Sequence, residues 1–363
     1  MHEYRITEEE AEKLVSWYKG NKRDLPWRNT GNPYHIWLSE IMLQQTRVEA
    51  VRERFVQFLR ELPDIPSLAS VSDERLMKLW EGMGYYSRAR NLKKCAQVLV
   101  REYDGRLPED PSLLVKLPGI GSYTAGAIAA QAYGKPVPAV DGNVLRALAR
   151  LFNCDRDIRK DETKKEAQAV IEDFYAEEGK TLAEDPSFVS AFTQGLMELG
   201  AIVCVPNGAP HCDACPWCAF CKAHLENTTD MIPYRSPLKE RKLVQRTIFI
   251  IRDGSRFFLQ KRPDKGLLAG LYEFPGVDEW LDEKQAVAFA EKQGWHVLHV
   301  HRLPDARHVF THLEWQMKAY ELQVDGILAD ERNDVLLLTK KELQSFAVPS
   351  AFKAYKQYYE LNA

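Results

Sequence analysis

Five of the seven cysteines in this 363-residue chain fall within one short stretch, CVPNGAPHCDACPWCAFC, from Cys204 to Cys221. Four thiolates this close together suit zinc or an iron–sulfur cluster. Spacing alone leaves that choice open, and Cys212, Cys215 and Cys218 reproduce the C-x2-C-x2-C run of bacterial ferredoxins. Disulfides are not expected: the opening residues show no secretory signal, and reducing compartments keep thiols free. Cys95 and Cys154 stand alone in helical segments and read as buried structural thiols.

Two carboxylates also stand in suggestive places. Glu40, in WLSEIMLQQTRV, is surrounded by Ile36, Trp37, Leu38, Ile41, Met42 and Leu43, which cover nearly every direction around a helix. A carboxyl in such surroundings has a raised pKa and stays protonated near neutral pH, as a general acid requires. The other reading is an exposed Glu on a surface turn. Asp141, in VPAVDGNVLRAL, directly precedes a helical run. It reads as a helix N-cap, as a carboxylate set to stabilise a developing positive charge, or as both. In LPGIGSYTAGAI, Gly119 and Gly121 fall between two helical runs. They allow either a plain helix–turn–helix corner or backbone N–H groups offered to a phosphate. Tyr85 to Arg101 carries Arg88, Arg90, Lys93, Lys94 and Arg101 with no acid. That stripe fits a solvated helix face or a nucleic-acid surface.

The elements that must position these residues are mostly helical. Helix-like periodicity runs through EEEAEKLVSWYKG, HIWLSEIMLQQTRVEAVRERFVQFLREL, SDERLMKLWEGM, SRARNLKKCAQVLVREY, SYTAGAIAAQAYG, NVLRALARLF, KKEAQAVIEDFYAEEG and PSFVSAFTQGLMELGAIVC. Residues 1–225 are therefore expected to form an all-α domain that ends in the cysteine loop, 204–221. ENTTDMIPYRSPLKERKL reads as a linker, 226–243. Beyond it, RTIFIIRDGSRFFLQKR carries an Asp-Gly hairpin signal and HVFTHLEWQMKAYELQV alternates like a strand. One helix, LDEKQAVAFAEKQG, lies between them, and TKKELQSF and SAFKAYKQYYEL close the chain. An α+β domain is expected over 244–363.

A 45% hydrophobic and 28% charged composition is that of an ordinary globular protein, and the net charge of −3 gives no sign of a nucleic-acid partner. No window approaches a membrane span, so no membrane partner is expected and the expected place is the cytoplasm.

Taken in order, RDLPWR (Arg23–Arg28), SEIMLQQTRV (Ser39–Val48), GMGYYSRARNL, LPGIGSYTAG, VDGNV, LMELGA and the cysteine run resemble the adenine DNA glycosylases of the MutY type. The resemblance covers essentially the entire chain. It implies an all-α helix-hairpin-helix glycosylase domain with a [4Fe-4S] loop, followed by an α+β Nudix-like (MutT-like) domain. The implied activity is monofunctional excision of adenine mispaired with 8-oxoguanine or guanine in duplex DNA, by a monomer acting at the nucleoid. Implied catalytic residues are Glu40 as the acid, Asp141 as stabiliser of an oxocarbenium-like sugar, and Tyr123 and Asn143 as their polar supports. Related endonuclease III-type enzymes carry a nucleophilic Lys where this chain has Tyr123, hence the expectation of weak or no lyase activity.

The same resemblance puts Arg23, Trp27 and Gln194 around the flipped adenine, Gln45 and Tyr85 as wedges in the duplex, and Gly119 and Gly121 on its backbone. For Trp27 and Tyr85, ordinary core packing is the alternative. In the second domain it implies 8-oxoguanine recognition by Phe310, Thr311 and His312, at a hairpin tip where the family carries Phe-Ser-His; the alternative is that His308, Phe310 and His312 face one side of a strand. LYEFPGV is present without the acidic metal-binding helix of a Nudix hydrolase, so this domain is expected to bind rather than hydrolyse. The family's cluster ligands follow C-x6-C-x2-C-x5-C. Cys204, Cys212, Cys215 and Cys221 match with one extra residue in the first loop and leave Cys218 surplus. A set with Cys218 in place of Cys221 or Cys204 is the alternative. A bifunctional abasic-site enzyme, a non-catalytic iron–sulfur DNA-binding protein and a nucleotide pyrophosphohydrolase are the competing functional readings.

Overall fold

The computed structural model describes residues 4–28, 30–238, 240–325 and 335–359. The chain divides into two compact units. One comprises residues up to Ser70 together with Asn91–Pro237; the other joins Val71–Arg90 to the residues from Leu238 onward.

The first unit is helical, and four of its helices carry the residues of interest. Pro33–Leu43 starts on Asn32, whose side chain accepts from the Tyr34 N–H, with Pro33 in the first turn where its missing donor costs nothing. Every residue from Ile36 to Met42 is buried, as a helix apolar on all sides requires. Ser122–Tyr133 follows the Leu117–Gly121 turn. There Gly119 has φ +77°, and a Cβ on it would lie 2.6 Å from the Asn91 Cβ, so no other residue fits. In the same helix a Cβ on Gly126 would meet the Pro138 carbonyl at 2.1 Å. That close approach lays the 138–141 segment against the helix and brings Asp141 to it. Gly142–Leu151 begins at Asp141. Pro186–Ile202 packs against both of these helices and against Glu8–Asn21. Leu14, Val144, Val189, Phe192 and Leu196 form the shared core, each large apolar side chain contributing roughly 1.5–3 kcal/mol.

The segment read from composition as a linker makes definite contacts within this unit. Ile232 is buried beside Ala149, Cys154 and Ala223, its carbonyl accepts from Arg150 Nε at 2.7 Å, and Ile158 N–H donates to the Tyr234 carbonyl.

The second unit holds a mixed sheet. β1 (Lys242–Asp253), β2 (Arg256–Lys261), β3 (Tyr272–Glu273), β5 (His296–Val309) and β6 (Leu313–Asp325) lie in the order β3-β2-β1-β6-β5; β4 (Gly276–Val277) adds to β1 and β7 (Val335–Thr339) to β2. β1 and β6 run parallel, and β5 and β6 antiparallel. The Asp253-Gly254 turn joins β1 and β2, with Gly254 at φ +58°. One face of the sheet packs on the helix Glu283–Lys292 and the other on the C-terminal turns that include Phe352 and Tyr355. The run HVFTHLEWQMKAYELQV is two strands rather than one, broken at residues 310–312. The last helical segment is a 3₁₀ turn over Ser350–Tyr355 followed by Lys356–Tyr359; residues 360 and 361 of that expected helix lie outside the described residues. Among the described residues, no helix is long and apolar enough to cross a membrane.

Candidate active site and cysteine loop

Glu40 lies mid-helix and only 7% exposed, which excludes the surface-turn reading. Tyr123 Oη donates to its Oε2 at 2.6 Å and Gln131 Nε2 donates to its Oε1 at 3.0 Å. Burial drives the Glu40 pKa above the usual carboxylate range. The Tyr123 and Gln131 hydrogen bonds oppose this, the Asp141 charge adds to it, and Arg28 opposes it. Burial, then the charges of Glu40 and Asp141, hold the Tyr123 phenol well above its usual 10, so it stays an O–H donor.

Asp141 does serve as an N-cap. Its Oδ1 accepts from the N–H groups of Asn143 at 2.9 Å and Val144 at 2.8 Å, while Oδ2 accepts from Asn143 Nδ2 at 2.7 Å. Burial raises its pKa too, against the pull of those donors and of Arg146. Both carboxylate oxygens are occupied, Oδ1 by the backbone cap and Oδ2 by the Asn143 amide, which fixes the side chain. Behind it, buried Arg146 donates to Asn143 Oδ1 at 2.9 Å and, through Nε, to the Cys204 carbonyl at 2.6 Å. One guanidinium therefore joins the start of this helix to the cysteine loop.

These groups meet in a cavity of ≈ 710 Å³ whose walls also include Arg23, Trp27, Gln194 and Gln45. Trp27 is buried and sits edge-on to Phe55 at 5.4 Å, so it both packs and lines the cavity. Gln194 is oriented by Tyr18, whose hydroxyl donates to Gln194 Oε1 at 2.8 Å. Three further residues of this wall were not singled out from the sequence: Arg28, Gln131 and Glu198. Glu198 is 1% exposed and accepts from the backbone N–H, Nε and Nη2 of Arg23 and from both terminal nitrogens of Arg28. Their signals were present. Gln131 is a polar residue in an alanine-rich helix two turns after Tyr123, and Glu198 is an acid one turn after Gln194 in an otherwise apolar helix.

Apart from Gln45, which also lines this cavity, the remaining sequence-derived positions fall elsewhere on the two units. Gln45 is exposed just past the Glu40 helix with φ +58°. Such a backbone in a non-glycine residue costs of order 1–3 kcal/mol and gathers at functional sites. In the first unit, the space a Cβ would fill at Gly121 is open, so a ligand backbone can approach there. In the second unit Tyr85 is 45% exposed, also at positive φ (+45°), and its hydroxyl hydrogen-bonds Thr311 Oγ1. Its exposure excludes the core-packing reading. Phe310 packs on Trp315 at 4.9 Å and His308 at 4.5 Å, leaving Thr311 and His312 exposed at the β5–β6 turn. The basic stripe is not one solvated face, because Arg88 is buried and donates to the carbonyls of Met83 and Gly84.

In the cysteine loop, buried Trp217 anchors the chain by donating to the Glu10 carbonyl at 2.8 Å. Cys204 is buried, with Arg150 Nη1 3.2 Å from its sulfur, and Cys221 Sγ lies 3.3 Å from the Arg150 carbonyl. Burial, the Trp217 backbone hydrogen bond and the charges of Cys204, Cys221 and Cys212 act on Cys215, whose thiol is pushed up to about 12. Burial likewise pushes Cys221 up to about 11, with Cys204 and Cys212 adding to it. Burial also raises the Cys212 thiol, and with Cys204 beside Arg150 this clustered set of soft sulfur donors fits an inorganic group that binds thiolates. Among the described residues no three His, Cys, Asp or Glu side chains converge on a single ion. Cys95 and Cys154 are both buried, Cys154 in the small core against which Cys221 packs.

Comparison with known proteins places these observations in a family. Residues 38–173 match the HhH-GPD superfamily of base excision DNA repair proteins, and residues 247–358 match the NUDIX domain. Mouse adenine DNA glycosylase is 33% identical, covering 96% of this chain and 77% of its own length. The human adenine DNA glycosylase is 30% identical, covering 96% and 73%. Among solved structures, a thermostable thymine-DNA glycosylase superposes with a TM-score of 0.51 at 25% identity, covering 60% of this chain and 95% of that one.

Proposed function

Because this chain belongs to the adenine DNA glycosylases of the HhH-GPD superfamily, which initiate base excision repair, we propose that its substrate is adenine opposite 8-oxoguanine or guanine, released by two carboxylates acting in turn. The observation that carries this reading is the meeting of Glu40, Tyr123 and Asp141 in one cavity.

Adenine must leave the stack to enter it, with Gln45 and Tyr85 filling the gap and Arg23, Trp27 and Gln194 receiving the base. Adenine is a poor leaving group until a ring nitrogen is protonated. Glu40, kept protonated by burial, gives its proton to N7; the glycosidic bond then breaks and its electron pair leaves with the base. The sugar becomes an oxocarbenium-like cation. Asp141, held by its three donors, presents a fixed negative charge to it without reorganising. Water adds at the anomeric carbon and gives its proton to the Glu40 carboxylate, which restores the acid. Gly119 and Gly121 take a DNA phosphate on the open helix start.

Tyr123 cannot form a Schiff base, so the enzyme is read as monofunctional. A duplex with adenine opposite 8-oxoguanine tests this: free adenine and an unbroken abasic strand are expected. Stoichiometric borohydride trapping of the chain on DNA would overturn it.

The thiols of Cys204, Cys212, Cys215 and Cys221 fit a [4Fe-4S] cluster, which would staple the loop to the Arg146–Arg150 face of its neighbouring helix. The family's ligand spacing supports the choice, and Cys218 is the surplus cysteine of the loop. Cys218→Ser is expected to keep the brown colour and visible absorbance of the purified protein, and Cys212→Ser to lose them. Loss of colour in Cys218→Ser would show the ligand set to be wrong.

Phe310, Thr311 and His312 are read as the contact to the opposite 8-oxoguanine, the Thr311 hydroxyl keeping a donor and an acceptor. The helix Glu283–Lys292 carries only Glu283 and Glu291 as acids, which supports binding rather than hydrolysis by this unit.

A further inference from the structure

We propose that Gln131 is a positioning residue for proton transfer by Glu40, its carboxamide holding the second oxygen of the acid so that the carboxyl plane is fixed before adenine arrives. This rests on the reading of Glu40 as the acid.

A carboxyl with one partner swings about its last bond, because that torsion has broad, shallow minima. Glu40 has two partners on opposite oxygens: Tyr123 Oη on Oε2 at 2.6 Å and Gln131 Nε2 on Oε1 at 3.0 Å. Each oxygen keeps a second lone-pair site for the transferable proton. Both partners stand on the one helix Ser122–Tyr133, two turns apart, so they form a rigid fork. Gln131 follows the buried Ala127, Ile128, Ala129 and Ala130, and a polar side chain there has the acid as its charge-bearing partner.

The fork is also tied to the base-receiving wall. Ser190 Oγ donates to the backbone carbonyl of Gln131 at 3.1 Å and accepts from Gln194 Nε2 at 3.2 Å, and Gln194 in turn takes the Tyr18 hydroxyl. A carboxamide suits this task because its N–H donates to the Glu40 oxygen, which methionine or leucine cannot do.

The charged and titratable groups facing Glu40 are Tyr123 on the same helix as Gln131, Asp141 at the start of the next, and Arg28, itself paired with Glu198 on Pro186–Ile202. With these unchanged, losing the Gln131 donor removes a hydrogen bond that favours ionised Glu40. The acid then keeps its proton to higher pH while its orientation loosens.

The test is single-turnover adenine release from an A:8-oxoguanine duplex across pH, with Gln131→Met, Gln131→Leu and Glu40→Gln beside the wild type. Thermal midpoints serve to confirm folding. In the two Gln131 variants the alkaline limb is expected to move up by about one pH unit and the plateau rate to fall about tenfold. An unmoved limb in the folded variants, with Glu40→Gln inactive, overturns the role of Gln131 alone. An active Glu40→Gln with its limb intact overturns the acid assignment beneath it, and the proposal with it.

Discussion

Asp141→Asn is expected to lower single-turnover adenine release by about 10³-fold while leaving the fold and duplex binding intact. Asparagine caps a helix as well as aspartate does, and its oxygen can still accept from the Asn143 and Val144 N–H groups. The substitution therefore removes the charge and keeps the cap. A loss of activity without a loss of thermal stability assigns the effect to stabilisation of the sugar cation. Equal losses of both would reduce Asp141 to a structural cap. Glu40→Gln is the companion, with a loss of roughly 10²–10⁴-fold expected for a missing general acid.

The largest effect on stability is expected at Glu198. Its carboxylate is almost wholly buried and accepts five hydrogen bonds from Arg23 and Arg28. Glu198→Ala leaves the 9%-exposed Arg28 side chain without its counter-charge. Breaking a buried pair in this way costs about 3–5 kcal/mol, readable as a lower midpoint in urea. Burial pushes the Glu198 pKa up, but hydrogen bonds from Arg28 and Arg23 outweigh it and hold the pKa at about 2. A depressed folded-state pKa contributes stability that is present above the ordinary 4.5 and is lost as pH falls toward 2. Wild type and Glu198→Ala should therefore converge in stability below pH 4.5. A constant gap from pH 7 to pH 3 would contradict the ion-pair account. Arg23 and Arg28 also line the cavity, so the variant should release adenine slowly even where it remains folded.

Much of this was legible in the chain because each feature is local. Glu40 amid apolar residues, Asp141 before a helical run and the Gly119–Gly121 turn are statements about neighbours in sequence, and the structure places the two carboxylates on one cavity. Gln131, Arg28 and Glu198 were harder to see, since their importance lies in partners 91, 170 and 175 positions away. β5 escaped notice for a different reason. HVLHVHRLPDARHV is mostly exposed, with two register irregularities against β6, so it lacks the regular apolar alternation of a strand with one buried face. The 310–312 turn is invisible to periodicity, because alternation continues through a short tip, and only the family resemblance marked it as a hairpin tip. The 226–243 segment has a linker's composition, yet its Ile232 carbonyl accepts from Arg150 and the Ile232 side chain fills a small core. Composition reports average polarity and is blind to one buried isoleucine.

The most direct test of the account is base release from four duplexes carrying adenine opposite 8-oxoguanine, guanine, thymine or cytosine. Adenine should be released from the first two and not from the others, leaving an abasic strand that breaks only on treatment with alkali. No release opposite 8-oxoguanine, or equal release opposite all four bases, would contradict it.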